Sequence, residues 1–148
     1  MFRECLTGGW WNEVSSGYQH TERTAEEAAN PHLIVHLRLK QPESLFTSCI
    51  CVMELRFGAA LRRDAEFFWE RITEEILSKV TILPVESHEA LIAGDLLASF
   101  QKAGLIVGME DILIASTALS HKCIMVTANT RHFSRVESLT VENWLEPR

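Results

Sequence analysis

The sequence has no long apolar run, no paired-cysteine motif and no excess of basic residues. Its longest apolar stretches, such as residues 33–35 and 112–115, fall far short of the roughly 20 residues that cross a bilayer, which argues against a transmembrane helix. The four cysteines include no CxxC pair and no histidines at zinc spacing, so buried free thiols are favoured over disulfides or structural zinc. The N-terminal residues contain no apolar segment typical of a signal peptide, and we expect a cytoplasmic location.

The charge balance restricts how the chain can meet nucleic acid. Its formal net charge is −6, which argues against a broad basic face that neutralises many phosphates. An acidic site can still receive phosphate through a bound metal ion. The 148 residues are 47% hydrophobic and 23% charged, the ordinary balance of one soluble globular domain. Disordered, collagen-like and disulfide-scaffold proteins are thereby excluded.

Helical and strand patterns alternate from about residue 30 onward, with no long linker, repeat or low-complexity tract. This alternation predicts βαβ units and a three-layer α/β/α fold with a central parallel sheet. Sites in such sheets lie beyond the carboxyl ends of the strands. Helices are predicted over residues 32–40, 48–63, 65–76, 87–104 and 109–121, and strands over residues 45–48, 79–83, 123–127 and 139–144.

Three ordered blocks resemble signature motifs of a known family. They are Met53–Ala59, Gly108–Leu119 and Val126–Val136, the last followed by Leu139–Trp144. Together they resemble PIN-domain ribonucleases of the VapC toxin type. The resemblance implies an endoribonuclease that depends on Mg²⁺ or Mn²⁺ and forms the toxin half of a bacterial toxin–antitoxin pair. It further implies RNA as substrate, a cognate antitoxin as partner, and a homodimer.

The resemblance also assigns the candidate site. Glu54 and Asp111 correspond to carboxylates that bind the metal and act in catalysis, and Asn129 to a third catalytic position where members carry Asp or Asn. Thr127 and Arg131 are predicted to contact substrate. Oxygen ligands of this kind suit hard divalent cations, which lower the pKa of bound water. Glu110 is a lesser candidate, because consecutive helical residues point about 100° apart.

Each of these residues also has a purely structural interpretation. Asp111 taken alone would interact favourably with the helix macrodipole, and Glu54 would be a solvated charge on a helix. Asn129 would form hydrogen bonds to the backbone of a local turn. Arg131 would simply be exposed. We assign no functional role to four further residues, which are Asp95, His36, His88 and His121.

Residues 1–29 depart from the family pattern, whereas residues 30–148 are predicted to form the PIN-like domain. The family begins with an apolar strand that ends in Asp-Thr-Asn, and its aspartate is a principal metal ligand. Residues 1–29 contain no run suited to a buried strand, so we expect the first strand to be missing or altered and much of this segment to be disordered. An alternative is a substitute strand drawn from residues 1–6, which would place Glu4 near the metal.

A frameshift would explain this departure. Residues 17–20 can be encoded GGA-TAC-CAA-CAC, and the same bases read one nucleotide later give Asp-Thr-Asn. Sequencing the gene over this stretch tests the hypothesis. Because one carboxylate is missing, the alternative function is a catalytically impaired PIN protein that only binds its antitoxin or dimerises.

Overall fold

A parallel five-stranded sheet organises the molecule. The computed structural model describes residues 3–7 and 31–147. Within these ranges the strand order is β3-β2-β1-β4-β5, and every neighbouring pair is parallel. The strands are β1 (Glu4–Leu6), β2 (Leu45–Ser48), β3 (Thr81–Leu83), β4 (Ile124–Val126) and β5 (Val141–Glu142).

Helices follow the strands in the order that the sequence predicts. The α/β/α prediction is confirmed, and β1 and β4 lie near the centre of the sheet with mostly buried residues. No helix in the described ranges is long and apolar enough to cross a membrane. The helices are α1 (Pro31–Leu39), α2 (Cys49–Ala60), α3 (Ala65–Glu75), α4 (Ser87–Lys102), α5 (Met109–Ser120) and α6 (Thr130–Phe133), with short 3₁₀ turns at Pro42–Ser44 and Leu77–Lys79.

Local sequence signals explain where several of these elements begin. Ser48 ends β2 in extended backbone, and its side chain accepts a hydrogen bond from the Ile50 N–H, which starts α2 directly at the end of the strand. Glu86 and Glu89 form a reciprocal capping box at the start of α4. In α3 one apolar face of the helix buries Phe68 and Ile72. The residue at which each of these helices begins is therefore determined by its local sequence.

The cysteines serve packing, as the sequence predicts. Cys5, Cys51 and Cys123 are buried and Cys49 is half-buried, and all four are free thiols. Burial raises the pKa of the Cys123 thiol to about 11 and raises that of Cys5 well above its usual range. Both thiols are therefore protonated at neutral pH and poor nucleophiles.

The expectation that residues 1–29 contribute no buried strand is wrong, and the alternative of a strand drawn from residues 1–6 is confirmed for residues 4–6. Glu4 lies beside Leu45 and Ile124 in the central strand β1 and is fully buried. Its carboxylate accepts a hydrogen bond from Lys40 Nζ, 36 residues further along the chain. A charged strand residue is tolerated here because a distant cation compensates it, and no local pattern reveals such a pairing.

The ends of the chain show two further differences from the prediction. The last strand is only Val141–Glu142, because Trp144 leaves the sheet and stacks on His36, with ring centroids 5.0 Å apart. The indole N–H of Trp144 donates to Glu142 at 2.7 Å. The predicted disorder and the hypothesis of a frameshift around residues 17–20 concern residues outside the described ranges and stay predictions.

Candidate active site

Polar residues follow the carboxyl ends of the central strands. Thr7 follows β1, Ser48 leads from β2 into α2, and Thr127 follows β4. Helix α5 runs back before β4, so its first turn, with Asp111, lies at this same edge. Parallel sheets place their sites at this edge, because loops from several strands converge there.

One contact from β2 and one from α2 meet at the end of β1. The carbonyl oxygen of Leu6 accepts a hydrogen bond from Thr47 Oγ1 at 3.0 Å and a weaker one from Cys51 Sγ at 3.5 Å. Glu54 lies about one helical turn beyond Cys51, since 3.6 residues make a turn. The packing of α2 against the end of β1 therefore fixes the position of the Glu54 backbone relative to the sheet.

Glu54 and Asp111 interact electrostatically across the gap between α2 and α5. Burial raises the pKa of Glu54, and the negative charges of Asp111 and Glu110 raise it further. The pKa of Asp111 is also raised, by burial and then by Glu110, while His132 lowers it. Helices α2 and α5 pack against each other, so these two half-buried carboxylates lie on neighbouring helices. A bound cation would relieve their repulsion.

The turn after β4 is built by Thr127 and Asn129. Thr127 is buried, and its Oγ1 accepts a hydrogen bond from the Asn129 N–H at 3.1 Å. The Asn129 side-chain amide lies 3.4 Å from Nδ1 of His132, one turn along α6. This geometry brings a histidine near Asp111, and the contact of Thr127 with substrate stays a prediction.

The remaining candidates are more exposed. Arg131 projects from α6 at the surface, and Glu110 is exposed beside Asp111. His121 lies 3.8 Å from the buried Glu89, and His36 is buried against Trp144, so both serve packing. Asp95 and His88 are exposed on α4.

Sequence reasoning missed two residues of this site, Thr7 and His132. Thr7 is buried, and its hydroxyl has no hydrogen-bond partner among the described residues. His132 carried a usable signal, because it follows Asn129 by three residues at the start of a helix. Thr7 carried none, since its place depends on β1.

The donor set fits a hydrated divalent cation. The described residues contain no group of three or more His, Cys, Asp or Glu side chains that could hold a metal ion. They do bring together Glu54 and Asp111, and Mg²⁺ is commonly held by one or two carboxylates together with waters and substrate phosphate. The buried Thr7 hydroxyl supplies a further oxygen at the same edge of the sheet. The residues therefore suit a cation that keeps much of its hydration shell.

Neutralising Glu54 is expected to stabilise the metal-free protein at neutral pH. Its pKa is raised in the folded state, so ionising Glu54 costs more in the folded chain than in the unfolded chain. Stability is therefore greatest below the unfolded pKa and is lost as pH rises through the folded pKa. In chelator, Glu54→Gln should raise the melting temperature by a few degrees at pH 7 and by little near pH 4, where the carboxyl is protonated (free Glu pKa is about 4.3).

Thermal melts followed by circular dichroism test this prediction, with Glu74→Gln as the matched control. Glu74 is an exposed carboxylate on α3 and lies outside the site. An unchanged or lower melting temperature for Glu54→Gln at neutral pH would contradict the account.

Comparisons with known proteins show the family of this chain. The PIN domain family profile matches residues 20–139. Ribonuclease VapC2 of Haemophilus influenzae is 38% identical over 101 residues, which cover 66% of this chain and 74% of that protein. The tRNA(fMet)-specific endonuclease VapC of Shigella flexneri is 34% identical over 97 residues, covering 66% of this chain and 73% of its own length.

Solved structures share the fold. VapBC-1 from nontypeable Haemophilus influenzae superposes with a TM-score of 0.79 at 21% identity, covering 98% of this chain and 100% of that chain. VapBC2 from Rickettsia felis, bound to a DNA fragment from its promoter, superposes with a TM-score of 0.77 at 24% identity, covering 97% and 99% of the two chains. The architecture is thus similar to theirs over nearly the whole chain.

Proposed function

This chain belongs to the PIN-domain family, and we propose that it is a VapC-type endoribonuclease, the toxin of a toxin–antitoxin pair, that hydrolyses RNA phosphodiesters with Mg²⁺ or Mn²⁺. The observation that carries this proposal is the interaction between Glu54 and Asp111. The two carboxylates come from separate sequence blocks and lie on α2 and α5, two helices that pack against each other. Solvated surface carboxylates repel one another, so they would not be expected to lie close together.

Each side chain has a defined task in this proposal. Glu54 and Asp111 would hold the cation, which supplies an activated water and neutralises phosphate charge when bound. Asn129 and Thr127 shape the turn that faces the same space, and the contact of Asn129 with His132 orients that imidazole. Arg131, which is exposed on α6, would contact the RNA backbone.

Cleavage assays test the proposal. The purified protein should cleave RNA in Mn²⁺, lose activity in EDTA, and regain it when Mn²⁺ is restored. The Asp111→Asn variant should show only background. Equal background from both proteins would instead support the alternative function, a PIN protein that only binds its antitoxin or dimerises.

An exposed apolar stripe that runs along α2 and ends at the residue after it supports a protein partner. Met53, Phe57 and Leu61 recur at helical spacing and are respectively 52%, 67% and 73% exposed. Glu54 lies on the same helix within one turn of Phe57, so a partner that covers the stripe would also reach the acidic site. We propose a VapB-type antitoxin as this partner, as in the VapBC complexes that share the fold. A cytoplasmic location and a homodimer remain predictions.

A Phe57→Asp variant is expected to bind the cognate antitoxin at least about tenfold more weakly, because a charge would be buried in an apolar contact. Isothermal titration with the purified antitoxin measures the change. Leu91→Asp is the matched control, since Leu91 is an equally exposed apolar residue on α4. Equal affinities of Phe57→Asp and the unmodified protein would exclude this stripe as the docking surface.

A further inference from the structure

His132 lies near Asp111, and one edge of its ring is already engaged by another side chain. It is half-buried on α6, the short helix that follows the turn after β4. The side-chain Nδ2 of Asn129 lies 3.4 Å from the imidazole Nδ1. An amide nitrogen can only donate, so Nδ1 accepts this hydrogen bond and the neutral imidazole carries its proton on Nε2. The opposite edge of the ring is therefore a hydrogen-bond donor.

Contacts on both sides of His132 hold its imidazole in place. Phe133, the next residue, is fully buried and packs edge-to-face on Phe100 of α4, with ring centroids 6.1 Å apart. The Asn129 N–H donates to Oγ1 of Thr127, the buried residue that follows β4, at 3.1 Å. The Nε2 donor thus has a defined position, because both ends of α6 are anchored in the interior.

His132 and Asp111 interact through charge without touching. The imidazole lowers the pKa of the Asp111 carboxyl group. The two side chains form neither a hydrogen bond nor an ion pair with each other. A substrate group that approaches the Asp111 carboxylate would therefore also come within reach of the imidazole.

The carboxylates of the site repel an RNA phosphate. Glu54, Glu110 and Asp111 interact with one another through like charges, and a phosphodiester carries the same sign. An N–H donor attracts an anionic oxygen even when no cation is bound, and hydrogen bonds to ionised acceptors are roughly twice as strong as neutral ones. A donor beside Asp111 would offset part of this repulsion.

We propose that His132 is a substrate-binding residue, whose Nε2–H donates a hydrogen bond to a non-bridging oxygen of an RNA phosphate at the acidic site. The inference rests on the proposed function and adds a contact that the protein makes with RNA independently of the divalent cation. Asn129 is a positioning residue for this contact, because its amide sets the tautomer and the orientation of the imidazole.

RNA binding in EDTA, measured by the fluorescence anisotropy of a labelled oligonucleotide, tests the proposal without cation or cleavage. The variants are His132→Asn, whose side chain ends short of the Nε2 position, and His132→Gln, whose amide nitrogen can reach it. His88→Asn is the matched control, because His88 is an exposed histidine on α4. A DNA oligonucleotide of the same sequence is compared with the RNA, and circular dichroism confirms that each variant folds.

His132→Asn should bind RNA about tenfold more weakly than the unmodified protein, whereas His132→Gln should stay within about threefold and His88→Asn should not change. The loss should be equal on DNA, because both backbones carry the same phosphates. Unchanged RNA binding by His132→Asn would overturn the inference. A loss confined to RNA would also overturn it, because the contact would then be to the 2′-hydroxyl.

Nuclear magnetic resonance of the imidazole decides even if His132→Asn fails to fold, because it uses the unmodified protein. Long-range ¹H–¹⁵N correlation spectra should show the Nε2-protonated tautomer of His132 in the free protein, and the Nε2 resonance should shift when RNA is added. A different tautomer, or an Nε2 resonance that RNA leaves unchanged, would contradict the proposed contact.

Mn²⁺ binding separates this contact from a metal-ligand role. Without RNA, His132→Asn should bind Mn²⁺ as tightly as the unmodified protein, and a loss as large as that of Asp111→Asn would overturn the inference. Failure of the proposed function would look different, because the unmodified protein would then neither cleave RNA in Mn²⁺ nor bind it. Cleavage in Mn²⁺ together with unchanged RNA binding by His132→Asn would overturn the inference alone.

Discussion

A Lys40→Met variant is expected to lose about 3–5 kcal/mol of unfolding free energy, because it leaves the Glu4 carboxylate buried without its cation. Glu4 is fully buried on the central strand, and Lys40 Nζ is its partner. The second carboxylate oxygen has no partner within the described residues, so no other group there takes over. Lys40 Nζ also lies 5.8 Å from the centroid of the Trp144 ring. The Lys40 side chain therefore packs on Trp144 in addition to pairing with Glu4. Urea unfolding monitored by fluorescence measures the loss.

Two comparisons separate the charge effect from lost packing. A Glu4→Leu/Lys40→Met double variant should recover most of the loss, since apolar replacement of both partners in a buried pair is often neutral or stabilising. Arg56→Met removes one partner of the exposed pair with Glu66 and should cost less than about 1 kcal/mol. A Lys40→Met variant as stable as the unmodified protein would show that β1 does not occupy the centre of the sheet.

Replacing Asp111 with asparagine is expected to reduce the rate of RNA cleavage by about 100-fold or more, comparable to the loss of a main electrostatic group in other enzymes. The substitution preserves shape and removes one of the two charges that would hold the cation. Asp111 is half-buried in the first turn of α5 and acts on Glu54 across the site. Initial rates on labelled RNA at saturating Mn²⁺ measure the effect.

Glu110→Gln is the matched control for Asp111→Asn. Glu110 precedes Asp111 and is exposed, and it contributes to the raised pKa of both Asp111 and Glu54. If the Glu110 charge acts on the site only at a distance, without binding the cation, Glu110→Gln should change the rate of RNA cleavage by less than about threefold, because exposed charges are screened. A loss for Glu110→Gln equal to that for Asp111→Asn would mean that the wrong carboxylate has been assigned.

Most elements of the fold follow from local sequence signals. The stripe through Phe68 and Ile72, the cap at Ser48 and the apolar run over residues 124–126 each place their element without knowledge of the rest of the chain. These signals also place Glu54 and Asp111 near strand and helix ends. The edge of a parallel sheet then brings the two together.

The errors arise where one residue depends on another far along the chain. Strand β1 is only Glu4–Leu6 and begins with a charge, and its burial requires Lys40. Thr7 takes its place in the site only because β1 pairs with β2 and β4. The early end of β5 likewise reflects the packing of Trp144 on His36. Periodicity within a segment contains no information on such pairings.

The central claim is that Glu54 and Asp111 share one divalent cation, and a double-mutant cycle on Mn²⁺ binding in the presence of RNA tests it most directly. The four proteins are the unmodified chain, Glu54→Gln, Asp111→Asn and the double variant. The account predicts that each single substitution removes tight Mn²⁺ binding and that the double variant is no worse than either. Retention of full Mn²⁺ affinity by either single variant would contradict a shared cation and, with it, the nuclease site described above.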